Sequence, residues 1–253
     1  MPSLEGRVAF VSGASRGIGE ALARRYFERG MRLVLCSRGA PVLAEGDRVI
    51  ARRLDVRDAE AMEALVPEIE QRFGAVDLWI NNAGVLEPIA PVRDVSVEAF
   101  RDHVDTNLVG VFIGTRCYVR HLRRQGRGGV LVNMSSGAAW KPYEGWGAYC
   151  AGKAGVERLT EVVAAEEASS GLRAYSVAPG VIDTEMQARI RAADPSDFPE
   201  RERFVERKRT GAFNDPVMVA DELLRIAFDP DRTPAGVAVR IAFDGEPTTA
   251  TPR

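Results

Sequence analysis

Residues 7–19 read Arg7-Val8-Ala9-Phe10-Val11-Ser12-Gly13-Ala14-Ser15-Arg16-Gly17-Ile18-Gly19. An apolar run of strand length ends at Ser12, turns through glycines, and gives way to a helical pattern from Gly17. Glycine permits a tight turn, a close approach of backbone to a pyrophosphate, and hard packing of helix on sheet. The helix that opens there presents unpaired N–H groups and its positive dipole end to phosphate. A glycine-rich turn by itself can be only a turn. Lying between a first strand and a helix, it predicts a dinucleotide cradle. The spacing is Gly-x3-Gly-x-Gly, not the commoner Gly-x-Gly-x-x-Gly.

Outward from this stretch, short apolar runs alternate with helical patterns. Strands are expected at residues 7–12, 32–36, 48–54, 77–81, 129–134, 172–177 and 237–242. Helices are expected at 17–29, 58–73, 97–123 and 147–170, with Pro67 kinking or dividing the second. Strands that alternate with helices build a parallel sheet covered on both faces. The expected fold class is therefore α/β, a Rossmann-type doubly wound parallel sheet of about seven strands. Residues 1–253 read as a single domain. The rhythm breaks at 183–228, where charged helical stretches and Pro195, Pro199 and Pro216 suggest a lid over a site, or a solvated helical pair. Residues 247–253 read as a loose tail.

Composition narrows the class. Hydrophobic residues make up 45% of the 253, enough for a large core. A formal charge of -2 gives no electrostatic reason to expect nucleic acid or an anionic membrane as partner. No apolar run is long enough to span a bilayer, and the first residues lack a signal-peptide core. Cys36, Cys117 and Cys150 form no metal-like cluster with His103 and His121, so no metal is expected. Scattered cysteines fit a reducing cytoplasm. Cys150 reads as a packed small residue or a reactive thiol. Lysines are confined to Lys141, Lys153 and Lys208, which makes the place of Lys153 less accidental.

That place is Tyr149-Cys150-Ala151-Gly152-Lys153. At i and i+4 on a helix, Tyr149 and Lys153 share a face. A phenol with a pKa near 10 is a poor acid or base at neutrality; an ammonium beside it is expected to lower that pKa. Ser136 lies upstream in Val132-Asn133-Met134-Ser135-Ser136. Tyrosine, lysine and serine together can move a proton at an oxygen while another group moves a hydride.

With these motifs in order, the chain resembles the short-chain dehydrogenase/reductase family. Ser12–Gly19 is similar to its Thr-Gly-x3-Gly-x-Gly motif, with Ser for Thr. Asn81-Asn82-Ala83-Gly84 resembles its motif after the fourth strand, Asn107 its helix asparagine, Ser136, Tyr149 and Lys153 its catalytic trio, and Pro179-Gly180 its turn after the sixth strand. The resemblance covers residues 7 to about 185. It implies that Tyr149 is the general acid, that Lys153 also holds the nicotinamide ribose, that Ser136 holds the substrate oxygen, and that Asn107 anchors a water leading to Lys153. It also implies that Gly13, Ser15, Arg16, Gly17, Ile18 and Gly19 cradle the pyrophosphate. Asp55 and Val56 would meet the adenine, Asn82, Ala83 and Gly84 would line the nucleotide, and Val181 and Thr184 would flank the nicotinamide. For Asp55, a helix N-cap is the alternative.

An acid at the end of the second strand would grip the adenosine 2′-hydroxyl and repel a 2′-phosphate. The chain has Ser37-Arg38 there. Arg38, Arg16 and Ser37 therefore point to NADP(H), with two solvated arginines as the alternative. Only about ten residues separate Arg38 from the third strand, room for a single helical turn where the family usually has a helix. The stretches around Tyr149 and at 178–187 resemble the branch of sepiapterin reductases and benzil (diketone) reductases. This implies an NADPH-dependent reductase of a small ketone or diketone. Trp140, Tyr143 and Trp146 would wall its pocket, or simply pack, and Asp244 would anchor substrate. A 3-ketoacyl-carrier reductase, an alcohol dehydrogenase and a non-catalytic NADPH sensor remain alternatives. The resemblance further implies a homodimer or tetramer.

Overall fold

The computed structural model describes residues 3–242 and 249–250. The sheet is built from β1 (Val8–Ser12), β2 (Arg32–Ser37), β3 (Val49–Arg53), β4 (Leu78–Asn81), β5 (Gly129–Met134), β6 (Leu172–Ala178) and β7 (Ala238–Arg240), all parallel, in the order β3-β2-β1-β4-β5-β6-β7. The seven parallel strands match the expected count. A short antiparallel β8 (Thr249–Ala250) pairs with β7, so this part of the expected loose tail is hydrogen-bonded.

The continuous apolar runs follow from burial on both faces. In β1, Ala9 and Val11 point into one core with Leu22 and Tyr26 of α1 (Gly17–Glu28), whereas Val8 and Phe10 point into the other. The second core receives Met62, Leu65, Val66 and Ile69 of α2 (Ala59–Phe73) and Ile113, Cys117 and Tyr118 of α4 (Gly110–Gln125). Of the expected kink or division at Pro67, the division does not occur: α2 runs through it. Pro67 and Glu63, whose carbonyl loses its i+4 donor, are both exposed, so water can serve that carbonyl while the buried face holds the helix.

The expected helix over 97–123 is α3 (Val97–Val104) and α4 joined by a π-helical turn at Asp105–Val109. One extra residue in the turn rotates the register, and such turns recur at functional sites. Asn107 sits inside it. α5 (Gly147–Glu166) carries Tyr149 and Lys153.

The span 183–228, expected as a lid or a solvated helical pair, divides into two parts. α6 (Glu185–Ala192) and α7 (Arg201–Thr210) lie over the strand ends, but α8 (Pro216–Phe228) buries Val219, Ala220, Leu223, Leu224, Ile226 and Ala227 in the first core. Its apolar face is as wide as a sheet-covering helix needs, and Asp215 caps it by accepting from Val217 N and Met218 N. Residues 39–47 hold no helix, as expected.

Winding proceeds from β1 through β2 to β3, then resumes at β4 on the other side of β1. In open α/β sheets the crevice lies beyond the strand ends at such a reversal. All the motif residues fall at that edge.

Candidate active site

A cleft of about 1080 Å³ opens there. The turn after β1 forms its floor. The Ser12 hydroxyl accepts from Asn82 N at 3.0 Å and Ala83 N at 3.1 Å, and Asn82 Nδ2 donates to Ser12 O at 2.9 Å. These bonds draw the ends of β1 and β4 together. A Cβ on Gly13 would lie 2.9 Å from Ala83 Cα, and one on Gly19 would lie 2.2 Å from the Gly13 carbonyl oxygen. The backbone is packed so closely that only glycine fits, leaving the mouth of the turn open for a pyrophosphate.

Gly13, Ser15, Arg16, Gly17, Ile18, Ser37, Arg38, Asp55, Val56, Asn82, Ala83, Gly84, Pro179, Gly180, Val181 and Thr184 all line this cleft, and so do Ser136, Trp140, Tyr143, Trp146, Tyr149 and Lys153. Gly19 and Asn107 stand behind the lining. Asp244 lies outside the described residues.

Lys153 is buried, and its ammonium donates to Met134 O at 2.8 Å. Burial lowers its pKa from 10.5 to about 8. Its Nζ lies 5.7 Å from the centroid of the Tyr149 ring. Ser136 lines the cleft with the Tyr149 phenol, and its Oγ accepts from Ala138 N at 3.2 Å. Here the structure corrects the expectation from the lysine alone. Burial raises the phenol pKa, and the Ser136 hydroxyl nearby offsets this only in part. The phenol is therefore held protonated at neutral pH, the state a proton donor needs.

Asn107 Oδ1 accepts from Val85 N at 2.8 Å, and its Nδ2 donates to Val85 O at 2.7 Å. It clamps the strand-like segment after β4. Sequence reading missed its neighbour His103, which is buried one helical turn earlier. His103 Nδ1 lies 2.6 Å from Glu87 O and so carries the proton; Nε2 then accepts from Asn107 Nδ2 at 2.7 Å. Burial and the Lys153 charge keep the imidazole neutral. The i, i+4 spacing of His103 and Asn107 was the available signal.

At the adenosine end, Ser37 Oγ donates to Gly39 O at 2.9 Å. Arg38 makes no hydrogen bond or ion pair with a described residue. Arg16 is instead bonded to Glu185 of α6; Glu185 bonds Arg189 at 2.7 Å, and Arg189 bonds Glu87 at 2.8 Å. This strap joins the glycine turn, the lid and the segment after β4. Asp55 is held by Arg57 at 2.8 Å, which lowers its pKa, whereas Asp58 caps α2. The alternative of Asp55 as the N-cap is thereby excluded.

Trp140, Tyr143 and Trp146 line the cleft, and Trp146 also packs within a cluster of rings. Trp146 lies 5.4 Å from Tyr149, 5.0 Å from Tyr143 and 4.5 Å from Phe198, between ring centroids. Phe198 and Phe204, from the lid, were not singled out in the sequence. The Trp140 indole donates to Glu157, which ties that ring to α5. Burial raises the Cys150 thiol and its Sγ faces Lys141 O, so it packs and is not activated.

The family model described as short chain dehydrogenase matches residues 7–195. The chain belongs to the short-chain dehydrogenase family. It is therefore an oxidoreductase acting on carbonyl or hydroxyl groups with a nicotinamide cofactor. Among relatives of this short-chain dehydrogenase, a benzil reductase ((S)-benzoin forming) of Bacillus cereus is 34% identical, covering 93% of this chain and 99% of its own. A 3-oxoacyl-[acyl-carrier-protein] reductase of Vibrio cholerae serotype O1 is 37% identical, over 73% of this chain and 77% of its own. The crystal structure of the KRED1-Pglu enzyme superposes with a TM-score of 0.81 at 31% identity, covering 88% of this chain and 95% of that one.

The buried lysine makes a test of its own. A group whose pKa falls from 10.5 to about 8 on folding costs stability wherever it must be charged. The cost is whole below pH 8, shrinks as pH rises and is gone above 10.5. Wild type should gain on the order of 3 kcal/mol relative to Lys153→Met between neutral and alkaline pH, as the size of the shift implies. Urea unfolding of both proteins across that range checks it, and parallel curves would refute it.

Proposed function

We propose that this short-chain dehydrogenase reduces a ketone or diketone with NADPH, with Tyr149 as the proton donor. The observation that carries this reading is the placement of Tyr149, with Nζ of buried Lys153 5.7 Å from its ring centroid, and Ser136 in the same cleft as the glycine cradle. The glycine turn fits a dinucleotide, because side chains there would fill the space a pyrophosphate needs. Gly13, Ser15, Gly17 and Ile18 would hold the phosphates, Asp55 and Val56 the adenine edge, and Val181 and Thr184 the nicotinamide. When bound, NADPH supplies the hydride.

The chain's own residues then do the rest. Ser136 holds the carbonyl oxygen where negative charge grows. Tyr149 gives its proton to that oxygen. The Lys153 ammonium stabilises the phenolate left behind, and its bond to Met134 O fixes where that charge sits. Asn107, locked by Val85 and His103, keeps its own π-turn in register. The aromatic wall excludes water and favours a flat or aryl ketone, in keeping with a benzil reductase among the relatives. A 3-ketoacyl-carrier reductase is the second reading, supported by the Vibrio cholerae relative and by arginines along the cleft.

Tyr149→Phe should reduce kcat by about 100-fold to 10,000-fold with NADPH binding retained. NADPH oxidation at 340 nm against benzil, phenylpropanedione, sepiapterin and an acetoacetyl thioester measures this and ranks the two readings. Near-normal turnover in the variant would end the assignment of the acid.

The preference for NADPH is carried by Arg38, which lines the adenosine end without a carboxylate bond, and by the lack of an acid at Ser37-Arg38. Arg38→Asp should lower kcat/KM for NADPH far more than for NADH. Equal use of both cofactors by wild type would count against it.

A homodimer is supported by Phe100, Phe112 and Val162, exposed on α3, α4 and α5 at 41, 46 and 44%. Large apolar side chains left exposed on these helices are the kind that association covers. Light scattering should show a dimer, and Phe112→Asp should shift it toward monomer; a monomeric wild type would rule it out.

A further inference from the structure

Beyond Tyr149 the cleft runs on to a wall of arginines. Arg203 and Arg207 are i, i+4 neighbours on α7, with Phe204 between them, and all three line the cleft. The Phe204 ring lies 5.5 Å from Trp146, so this face of α7 continues the aromatic wall. Arg240 of β7, which also lines the cleft, is in register with Ala178 at the end of β6. Arg207 is half-buried and feels the charges of both Arg203 and Arg240, which with burial push its guanidinium below its usual range. Tyr143, next to Trp146, lies within reach of the same charge.

These cations are short of anions. Glu200 bonds both Lys141, at 3.0 Å, and Arg203, at 3.2 Å. Arg207 donates to the Ala212 carbonyl at 3.0 Å. Neither Arg207 nor Arg240 has a carboxylate partner among the described residues. Elsewhere in the cleft the acids are each taken: Asp55 by Arg57, Glu87 by Arg189, Asp183 by Arg191 and Lys208, and Glu185 by Arg16 and Arg189. Among the described residues, the far end is therefore left with net positive charge facing the cavity.

The adenosine phosphate cannot be what this charge awaits. In the strand order, β2, which precedes Arg38, and β7, which carries Arg240, stand five spacings apart. At about 4.8 Å per spacing this is roughly 24 Å. The anion must come from the substrate side, past Tyr149, Trp146 and Tyr143.

We propose that Arg207, with Arg240 and Arg203, forms an anion subsite, and that the substrate is a ketone bearing a carboxylate or comparable anionic group at the end remote from its carbonyl. The proposal rests on the carbonyl-reductase reading above. The guanidinium fork suits a planar carboxylate, and the aromatic rings between would hold an apolar spacer. Partial burial makes the attraction stronger than at an open surface.

The test uses the NADPH-loaded enzyme and a matched pair, 4-(2-oxopropanoyl)benzoate and its methyl ester. Wild type should favour the carboxylate in kcat/KM by about tenfold or more, the worth of one charge-assisted hydrogen bond. Rising sodium chloride should shrink that preference. Arg207→Gln and Arg240→Gln should each cut the carboxylate-to-ester ratio several-fold, and Arg207→Lys should restore part of it. Arg240→Gln spares the bond to Ala212, so the result does not hang on one fold-sensitive variant. Equal use of acid and ester by wild type, or an unchanged ratio in both glutamine variants, overturns the proposal. If neither ketone consumes NADPH, the reductase reading fails separately. Calorimetric binding of the same pair then decides: tighter carboxylate binding, lost in Arg207→Gln, upholds the subsite, and equal binding sinks it.

Discussion

The bonds between Ser12 and the Asn82-Ala83 backbone hold the point where the sheet reverses its winding. Two strands that are far apart in sequence are pinned at their carboxyl ends by one buried hydroxyl that accepts two N–H groups, with Asn82 Nδ2 donating back to the Ser12 carbonyl. Removing that hydroxyl would strand two amides at the floor of the cleft, a cost of about 1–3 kcal/mol for each buried group left unpaired. The glycines that follow can pack without side chains because this junction is tight. On one side of it lies the cradle; on the other, β5 delivers Ser136 and anchors Lys153 through Met134 O.

Burial then works in opposite directions on the two ionisable groups of the Tyr149–Lys153 pair. It favours the neutral form of each, raising the phenol of Tyr149 and lowering the ammonium of Lys153. The two values move apart, the phenol rising from its usual range while the ammonium falls to about 8, so the phenol keeps its proton beside an ammonium that gives its own up more easily. An exposed Tyr-x3-Lys pair would have neither property. The stability given up to bury an ammonium without a carboxylate is a cost of function, of the kind active sites commonly carry.

Much of the site was legible because its signals are local. The glycine turn needs only a strand before it and a helix after it, and Tyr149 and Lys153 need only a helix. Pro67 does not divide α2 because its cost depends on whether the freed carbonyl meets water, which spacing does not say. The lid was drawn too wide because α8 has the same helical pattern as α6 and α7, and only packing against α1 and the sheet tells a core helix from a covering one. Arg16 was assigned to phosphate from its place in the motif; its bond to Glu185, 169 positions away, could not be read from that place.

By itself the sequence determined the alternating α/β order, the dinucleotide cradle, the Ser136, Tyr149 and Lys153 trio, and the missing acid after β2. Each depends on residue type at short spacing, where backbone geometry sets what is adjacent. Only the tertiary structure decided that His103 holds Asn107, that Arg16 is strapped to the lid, and that Arg203, Arg207 and Arg240 share one wall. Those groupings join separate elements across the sheet, and their electrostatics depend on burial and on which carboxylates are already taken. A chain rich in arginine shows no preferred cluster until folding distributes its acids.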